Sequence, residues 1–581
     1  LATTEHEIPA FEGISRAEAE AIQALAWPDK WAAQHRLIVD AHPFDLRGRE
    51  YERDILRDES KSIIMPKGAQ LGLTTTFLAK TIHAVTVRLW KALYLLPLKA
   101  GTNDFVQSRI DPVLESSPSV KSRFGKTDNR GQKVTIEGVA WKIRGTNIET
   151  ELRETPADFI VFDERDKMNE DNIPHALARL DGSLIARTYE LSTPTVEGFG
   201  VYRDNGFPAS DQMQWWIPCP HCGSKQVLSF EENIQPYLGE TVSDSKDSCR
   251  CQHCHKPITD SERAAANADG QWVPLEPQNE IRGYHLTQLN SPTKTLADAQ
   301  LGMLVNYFEG QRDSKKLKEF FNLALGLPYS SPGDKFTTEL MDKARGPYER
   351  GFIPMGAVYL GIDQGQEVLH VTLWSVNKDR RRLLDARLIQ ADGAKSKWAV
   401  LDEEVLQRYS RWVAVCDAHP DKEDCEALAK KYPGRFWMGF EKDRPEQPAT
   451  ANFSTPKWGE SGRVLIDRTM AFDSLIKNYL DNKTELPRDA RELGERMPKL
   501  SYNGFYAQHL AMVRVEQPDL QNRMVARWVN GNAEPGKKAQ GKKPDHWHHS
   551  DMFGLIATMS DTPMVFSGSE RNLLAAAGGL I

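Results

Sequence analysis

Three groups of residues have types and spacings that can do chemistry. The first is the loop Pro66-Lys67-Gly68-Ala69-Gln70-Leu71-Gly72-Leu73-Thr74-Thr75-Thr76, followed much later by the acidic pair Asp163-Glu164. A glycine-containing loop that opens a helix presents backbone N–H groups to phosphates, and a Thr hydroxyl can meet Mg²⁺. Lys67, Gly68, Gln70, Gly72, Thr74 and Thr75 are therefore the candidate nucleotide contacts. Leu73 stands where the usual motif has lysine, which leaves Lys67 as the nearby cation. Asp163 would hold Mg²⁺ and Glu164 would orient and deprotonate the attacking water of an ATP hydrolase.

The second group is cysteine-rich. Cys219-Pro220-His221-Cys222 and Cys251-Gln252-His253-Cys254 are two CxxC pairs, and four thiolates make a closed tetrahedral zinc site of the structural kind. Cys249 is an extra thiol, and His221, His253 and His255 are possible substitutes, so the ligand set stays open. The third group is acidic. Asp363, Asp417 and Asp551 are assigned as ligands of Mg²⁺ or Mn²⁺ for phosphodiester hydrolysis, because two-metal chemistry needs carboxylates converging from separate elements.

These residues need particular elements to position them. Ser62-Ile63-Ile64-Met65 reads as a buried strand feeding the loop, with a helical pattern from Phe77 onward. Ala92–Pro97 and Asp158–Glu164 read as further strands, the latter delivering its two acids to a strand end, where open α/β sheets bind ligands. Thr188–Leu191 leads into Ser192-Thr193-Pro194-Thr195, a strand tip able to sense a γ-phosphate. Arg144 and Arg153 precede the acidic strand as alternative arginine fingers. Further on, Val358–Asp363 and His370–Trp374 precede a turn at Asn377-Lys378-Asp379 and a strand around Leu383–Leu388. A helical stretch near Ala399–Tyr409, the acid-tipped strand Trp412–Asp417 and a late helix bearing Asp551 complete an RNase H-like order. Two basic clusters, Gly536–Pro544 and Lys378 with Arg380-Arg381-Arg382, could meet DNA phosphates or simply face solvent.

The bulk numbers allow this reading. A chain of 581 residues can hold more than one domain, and 40% hydrophobic with 27% charged residues is an ordinary globular composition. The net charge of −7 gives no global attraction to DNA, so any such partner would need local basic patches. No run of about 18 apolar residues suggests a membrane span. The opening Leu1–His6 stretch does not read as a secretory signal.

In order and spacing these motifs resemble the lambda-type (GpA) family of tailed-phage terminase large subunits over nearly the whole chain. Lys67 stands where that family places an early phosphate-loop lysine. Asp163-Glu164 matches its acidic strand end, and the two CxxC pairs look like its zinc knuckles. Gly283-Tyr284-His285-Leu286 through Ser291-Pro292, and Phe321–Pro328, resemble the segment between its domains. Gly361-Ile362-Asp363-Gln364 resembles the first nuclease motif, with Asp417 and Asp551 in the places of the second and third acids; Gly504–Leu510 is also similar. His548-His549-Ser550-Asp551 departs from the usual lead into the last acid, as do Gly68 and Gln70 within the loop.

The resemblance implies an α/β protein with an N-terminal P-loop (ASCE-type) ATPase domain, an inserted zinc knuckle and a C-terminal RNase H-like nuclease domain. The expected boundaries are 1–330 for the ATPase (knuckle at about 215–260), 331–350 for a linker, 351–565 for the nuclease and 566–581 for a tail. It implies ATP, Mg²⁺ (or Mn²⁺) and Zn²⁺ as cofactors. The implied partners are double-stranded DNA, a small terminase subunit and the procapsid portal, with a homo-oligomeric ring on that portal and no membrane. The implied location is the cytoplasm of the infected bacterial host. A helicase-like DNA-remodelling ATPase with a zinc ribbon and a non-cleaving RNase H-like domain is the alternative, and a scaffold with degenerate sites is a third reading.

Overall fold

The computed structural model describes residues 15–39, 41–153, 156–351, 356–442, 456–459, 461–493, 504–518, 524–531 and 544–560. The chain divides into two compact units, the first holding most of the chain up to Ser331 and the second beginning at Pro332.

Short apolar runs alternating with helices favour a parallel sheet covered on both faces. The first unit follows that rule. Ser62–Pro66 lies parallel to Arg187–Ser192, which lies parallel to Phe159–Asp163, then Ala92–Leu96, then Ala140–Gly145. One strand thus separates the loop-bearing strand from the acid-bearing strand, the arrangement of the ASCE group. Arg282–His285 and Met213–Pro218 extend the parallel sheet on the other side. The excursion bearing the CxxC pairs leaves Met213–Pro218 through its antiparallel partner Lys225–Val227 and returns through Gln271–Pro274. Behind the loop, the helix Leu73–Thr86 is buried along almost its whole length. Phe77 and Ile82 join Met65, Tyr94, Phe159 and Tyr189 in one core.

The second unit is built on a mixed sheet. Val358–Gln364, Val368–Asn377 and Arg380–Gln390 form an antiparallel meander. Trp412–Asp417 then pairs parallel with Val358–Gln364, and Phe436–Lys442 pairs parallel with Trp412–Asp417. The late helix is His546–Ala557 and is buried from Trp547 on except at His549. It crosses the meander where Gly361 lets it approach closely. A Cβ at Gly361 would overlap the Ser550 carbonyl oxygen and the Gly554 nitrogen. Ser550 Oγ fills the gap, donating to Gly361 O at 2.8 Å and accepting from Thr372 N at 3.0 Å.

Residues 331–350, expected as a linker, are part of the second unit from Pro332 onward. Phe336 and Met341 are fully buried there, and Thr337 caps the helix Thr338–Lys343. Apolar anchors at those two positions make the segment a core element rather than a spacer. The basic stretch 536–543 and the tail 566–581 lie outside the described residues. Among the described residues no helix is long and apolar enough to cross a membrane.

Candidate functional sites

The phosphate loop runs from the end of Ser62–Pro66 to the N-terminus of Leu73–Thr86, with Gln70 at φ 62° and Gly72 at φ 85°. Thr74 donates its hydroxyl to Asp163 Oδ1 at 3.4 Å. Lys67, 6% exposed, donates from Nζ to Glu164 Oε1 at 3.2 Å. The parallel sheet therefore brings Lys67, Thr74, Asp163 and Glu164 to one strand-end cleft. Thr75 sits half-buried in the first helical turn. Gly68 faces away from the nucleotide contacts. Its N–H donates to Leu286 O at 2.8 Å, and Ala69 N–H donates to Leu323 O at 2.7 Å. A Cβ at Gly68 would press on Ala324 O at 2.9 Å, so glycine there permits the close approach of that segment.

The two acids of this cleft behave differently. Burial, then the neighbouring Glu164, raises the Asp163 carboxyl above its ordinary value despite Lys67. Burial works against Glu164 as well, but Lys67 and Lys167 overcome it and hold its carboxyl below the usual range. Tyr94 hydroxyl fixes Asp163 Oδ2 at 2.8 Å. Glu164 adopts a left-handed conformation, φ 65° and ψ 52°, which costs about 1–3 kcal/mol for a non-glycine residue and is characteristic of working sites.

The next turn joins this acidic end to the Ser192-Thr193-Pro194-Thr195 tip. Asp166 is fully buried and accepts from Thr195 N at 2.9 Å, Thr195 Oγ1 at 3.0 Å and Val201 N at 2.9 Å. Burial still pushes its carboxyl up to about 6. Nothing in the sequence points to Asp166 or Tyr94, because the partners of Asp166 lie in the loop and turn after the next strand and the partner of Tyr94 lies on another strand. Of the two finger candidates, Arg144 is spent on the carbonyls of Gly131 and Ile143, whereas Arg153 pairs with Glu149 on the surface.

Cys219, Cys222, Cys251 and Cys254 converge with their sulfurs within 4.8 Å of one another. The Cys219–Cys254 and Cys222–Cys251 sulfur pairs are 3.9 and 3.8 Å apart. Tetrahedral zinc at a Zn–S distance of about 2.3 Å requires sulfurs about 3.8 Å apart, so the four fit that ion. Backbone N–H groups of His221 and His253 point at Cys219 and Cys251 sulfurs, each at 3.4 Å. Cys249 is buried outside this group, His221 bonds Pro257 O, and His255 bonds the Tyr237 hydroxyl. Among the described residues the group whose ligand atoms converge is thus the four cysteines.

In the second unit, Asp363 and Asp417 end two adjacent parallel strands, with Ile362 opposite Cys416 in register. Burial, then the charge of Asp363, pushes the Asp417 carboxyl up to about 7. Like charges converging in a poorly hydrated place favour a bound divalent cation. Glu441, Asp545, His546 and His549 complete the cleft. His546 Nδ1 donates to Asp363 Oδ2 at 2.6 Å, and His549 Nδ1 lies 3.1 Å from Glu441 Oε1. Burial disfavours charge on His546, but its bond to Asp363 and the charges of Asp363 and Asp545 raise it above the ordinary value.

Asp551 does not join them. It is fully buried and pairs with Arg381 Nη1 at 2.6 Å, accepts from the Tyr479 hydroxyl at 2.7 Å and lies 3.0 Å from His509 Nε2. The assignment of Asp551 as a metal ligand is therefore corrected: its oxygens are occupied inside the core. The reason is helical phase, since the helix starts at His546 and Asp551 falls more than a turn later, away from the residues at its tip. Asp545 and His546 stand at that tip, with His546 against Asp363. The same ion pair removes Arg381 from the basic hairpin cluster, while Arg382 pairs with Glu485.

Two family models match the chain: the phage terminase large subunit gpA ATPase domain over residues 48–272, and the terminase large subunit gpA endonuclease domain over residues 281–415. The chain is similar to the terminase large subunit of Enterobacteria phage P21, with 23% identity over 356 residues, 55% of this chain and 54% of that protein. It is similar to the terminase large subunit of Escherichia phage lambda, with 21% identity over 392 residues, 61% of this chain and 60% of that protein. It thus spans 54% and 60% of the length of these curated relatives. Among solved structures it is similar to the HK97 bacteriophage large terminase, at 11% identity and a TM-score of 0.45 over 92% of this chain and 99% of that one.

Proposed function

The chain belongs to the gpA family of phage terminase large subunits, with an ATPase domain followed by a nuclease domain, and from this premise we propose that it is the ATP-driven motor that packages viral double-stranded DNA and cuts it from concatemers. The observation that carries the reading is the meeting of Lys67, Thr74, Asp163 and Glu164 at one strand-end cleft. Lys67 neutralises phosphate charge, Thr74 and Asp163 hold Mg²⁺ with the nucleotide, and Glu164 aligns the attacking water. Gly68 and Ala69 commit their N–H groups to Leu286 and Leu323, so phosphate contacts fall to the later loop and the helix N-terminus at Gly72–Thr75. Asp166 passes the state of the acidic strand end to the Thr195 tip. Arg153 is the freer of the two finger candidates.

In the nuclease cleft, Asp363 and Asp417 are the carboxylate ligands, with Asp545, His546 and Glu441 around them. These residues would hold divalent cations, which when bound would supply an activated water and charge stabilisation at the leaving oxygen of the phosphodiester. The four cysteines hold Zn²⁺ as a structural ion. Partners of the motor are double-stranded DNA, a small terminase subunit and the procapsid portal, on which subunits form a ring in the host cytoplasm.

The test is ATP-dependent protection of linear duplex DNA from DNase by portal-bearing procapsids, with the small subunit supplied. Protection by wild type and none by Glu164→Gln is the expected result. No protection from a preparation that hydrolyses ATP and cuts DNA would remove the motor role.

A further inference from the structure

Nothing in the residues around His370 singles it out, yet strand register sets it directly opposite Asp363. It is 6% exposed, and its Nδ1 is buried without a hydrogen-bond partner among the described residues. Its ring stacks on His546, with centroids 4.6 Å apart and planes at 20°, while Trp547 packs edge-on against its side at 4.8 Å. One ligand atom each from Asp363, His370 and His546 lie within 4.8 Å of one another. A buried imidazole nitrogen with no partner, beside a carboxylate and a second imidazole, is expensive unless something occupies the gap.

We propose that Asp363, His370 and His546 form a two-histidine, one-carboxylate site that selects a first-row transition ion such as Mn²⁺ over Mg²⁺. It rests on the nuclease reading of this cleft and gives that reading a metal preference. Mg²⁺ prefers an all-oxygen shell and keeps its waters, whereas imidazole nitrogen favours transition ions. Three protein donors on one side leave positions open for water and a phosphodiester oxygen. The meander sets His370 opposite Asp363, and the late helix then adds His546 and packs Trp547 edge-on against the His370 ring. The Asp363–His546 hydrogen bond holds the two donors together, and a cation entering between them takes the place of that proton.

The direct readout is nitrogen coupling to bound Mn²⁺ in pulsed electron paramagnetic resonance of the full chain. His546 lies half-buried in the first turn of its helix, so His546→Ala is the milder variant; His370→Asn, at a buried strand position, is the second, with a melting curve to confirm folding of each. Wild type is expected to show ¹⁴N modulation from bound Mn²⁺, reduced in each variant. Mn²⁺ affinity should fall at least about tenfold in His546→Ala, since losing a ligand costs no less than losing a ligand's support. Mg²⁺ affinity should change much less. Mn²⁺ bound by wild type without nitrogen coupling, or no Mn²⁺ bound at millimolar concentration, would overturn the proposal. Plasmid cutting separates the two readings: Mg²⁺-dependent cutting with no nitrogen signal keeps the nuclease and discards this site. A nitrogen signal without cutting under any metal keeps the site and discards the nuclease.

Discussion

Thr74 and Asp163, 89 residues apart in sequence, share a hydrogen bond of 3.4 Å across the cleft between a helix N-terminus and a strand end. A Mg²⁺–nucleotide complex would be held by this pair, and the cation beside it is Lys67, which reaches Glu164 from the start of the loop. In the proposed site, lysine at the beginning of the loop would supply the cation that Leu73 cannot.

Lys67→Ala should lower ATP turnover by at least about a hundredfold, the usual cost of removing one transition-state donor. Leu73→Lys in that background should not restore it, because Leu73 is 1% exposed and packed in the core. Steady-state phosphate release with DNA present checks both. Turnover near wild type in Lys67→Ala would move the phosphate-binding cation elsewhere.

Asp551→Ala should destabilise the second unit by about 3–5 kcal/mol, because it leaves Arg381 buried without its partner. Burial opposes the Asp551 charge, but Arg381, then His509 and Tyr479, hold its carboxyl below the ordinary range. A depressed folded pKa contributes stability that is fully present above the unfolded value of about 3.9 and is lost as pH falls through the folded value. The gap between wild type and variant in denaturant melts should therefore be full at pH 7 and narrow at acid pH. A variant with wild-type stability and no cutting would return Asp551 to the metal site.

These outcomes bear on what the sequence could reveal. The four-cysteine cluster was legible because each CxxC pair is local and the two pairs close on each other. The acid-tipped strands were legible as structure because a short buried apolar run ending in Asp163 or Asp417 reads as a strand. Asp551 misled because its partners, Arg381, Tyr479 and His509, lie on three distant elements, and nothing near it in sequence announces an ion pair. A period-two reading would have found Arg381: it alternates inward between the exposed Arg380 and Arg382. His370 could be found only from hairpin register, which places it opposite Asp363.

Gly361→Ala should prevent the late helix from docking, since its Cβ would overlap backbone atoms of Ser550 and Gly554 rather than a flexible side chain. Loss of cutting together with a lowered Tm is the expected outcome, while ATP turnover persists. Unchanged cutting would show that the helix approaches the strand less closely.

Cys222→Ser should lower the zinc content below one equivalent by elemental analysis and reduce stability. At about 2–4 °C per kcal/mol, the loss of a few kcal/mol would appear as a shift of several degrees in Tm. Chelation of wild type should reproduce it. An unchanged Tm with no zinc in wild type would leave the four thiols as a metal-free cluster.

The most direct test of the account assays ATP turnover and plasmid cutting in one preparation each of wild type, Glu164→Gln and Asp363→Ala, with Mn²⁺ or Mg²⁺ and DNA present. The account predicts that Glu164→Gln loses ATP turnover but still cuts, and that Asp363→Ala loses cutting but still turns over ATP. Undiminished turnover in Glu164→Gln, or undiminished cutting in Asp363→Ala, would contradict it.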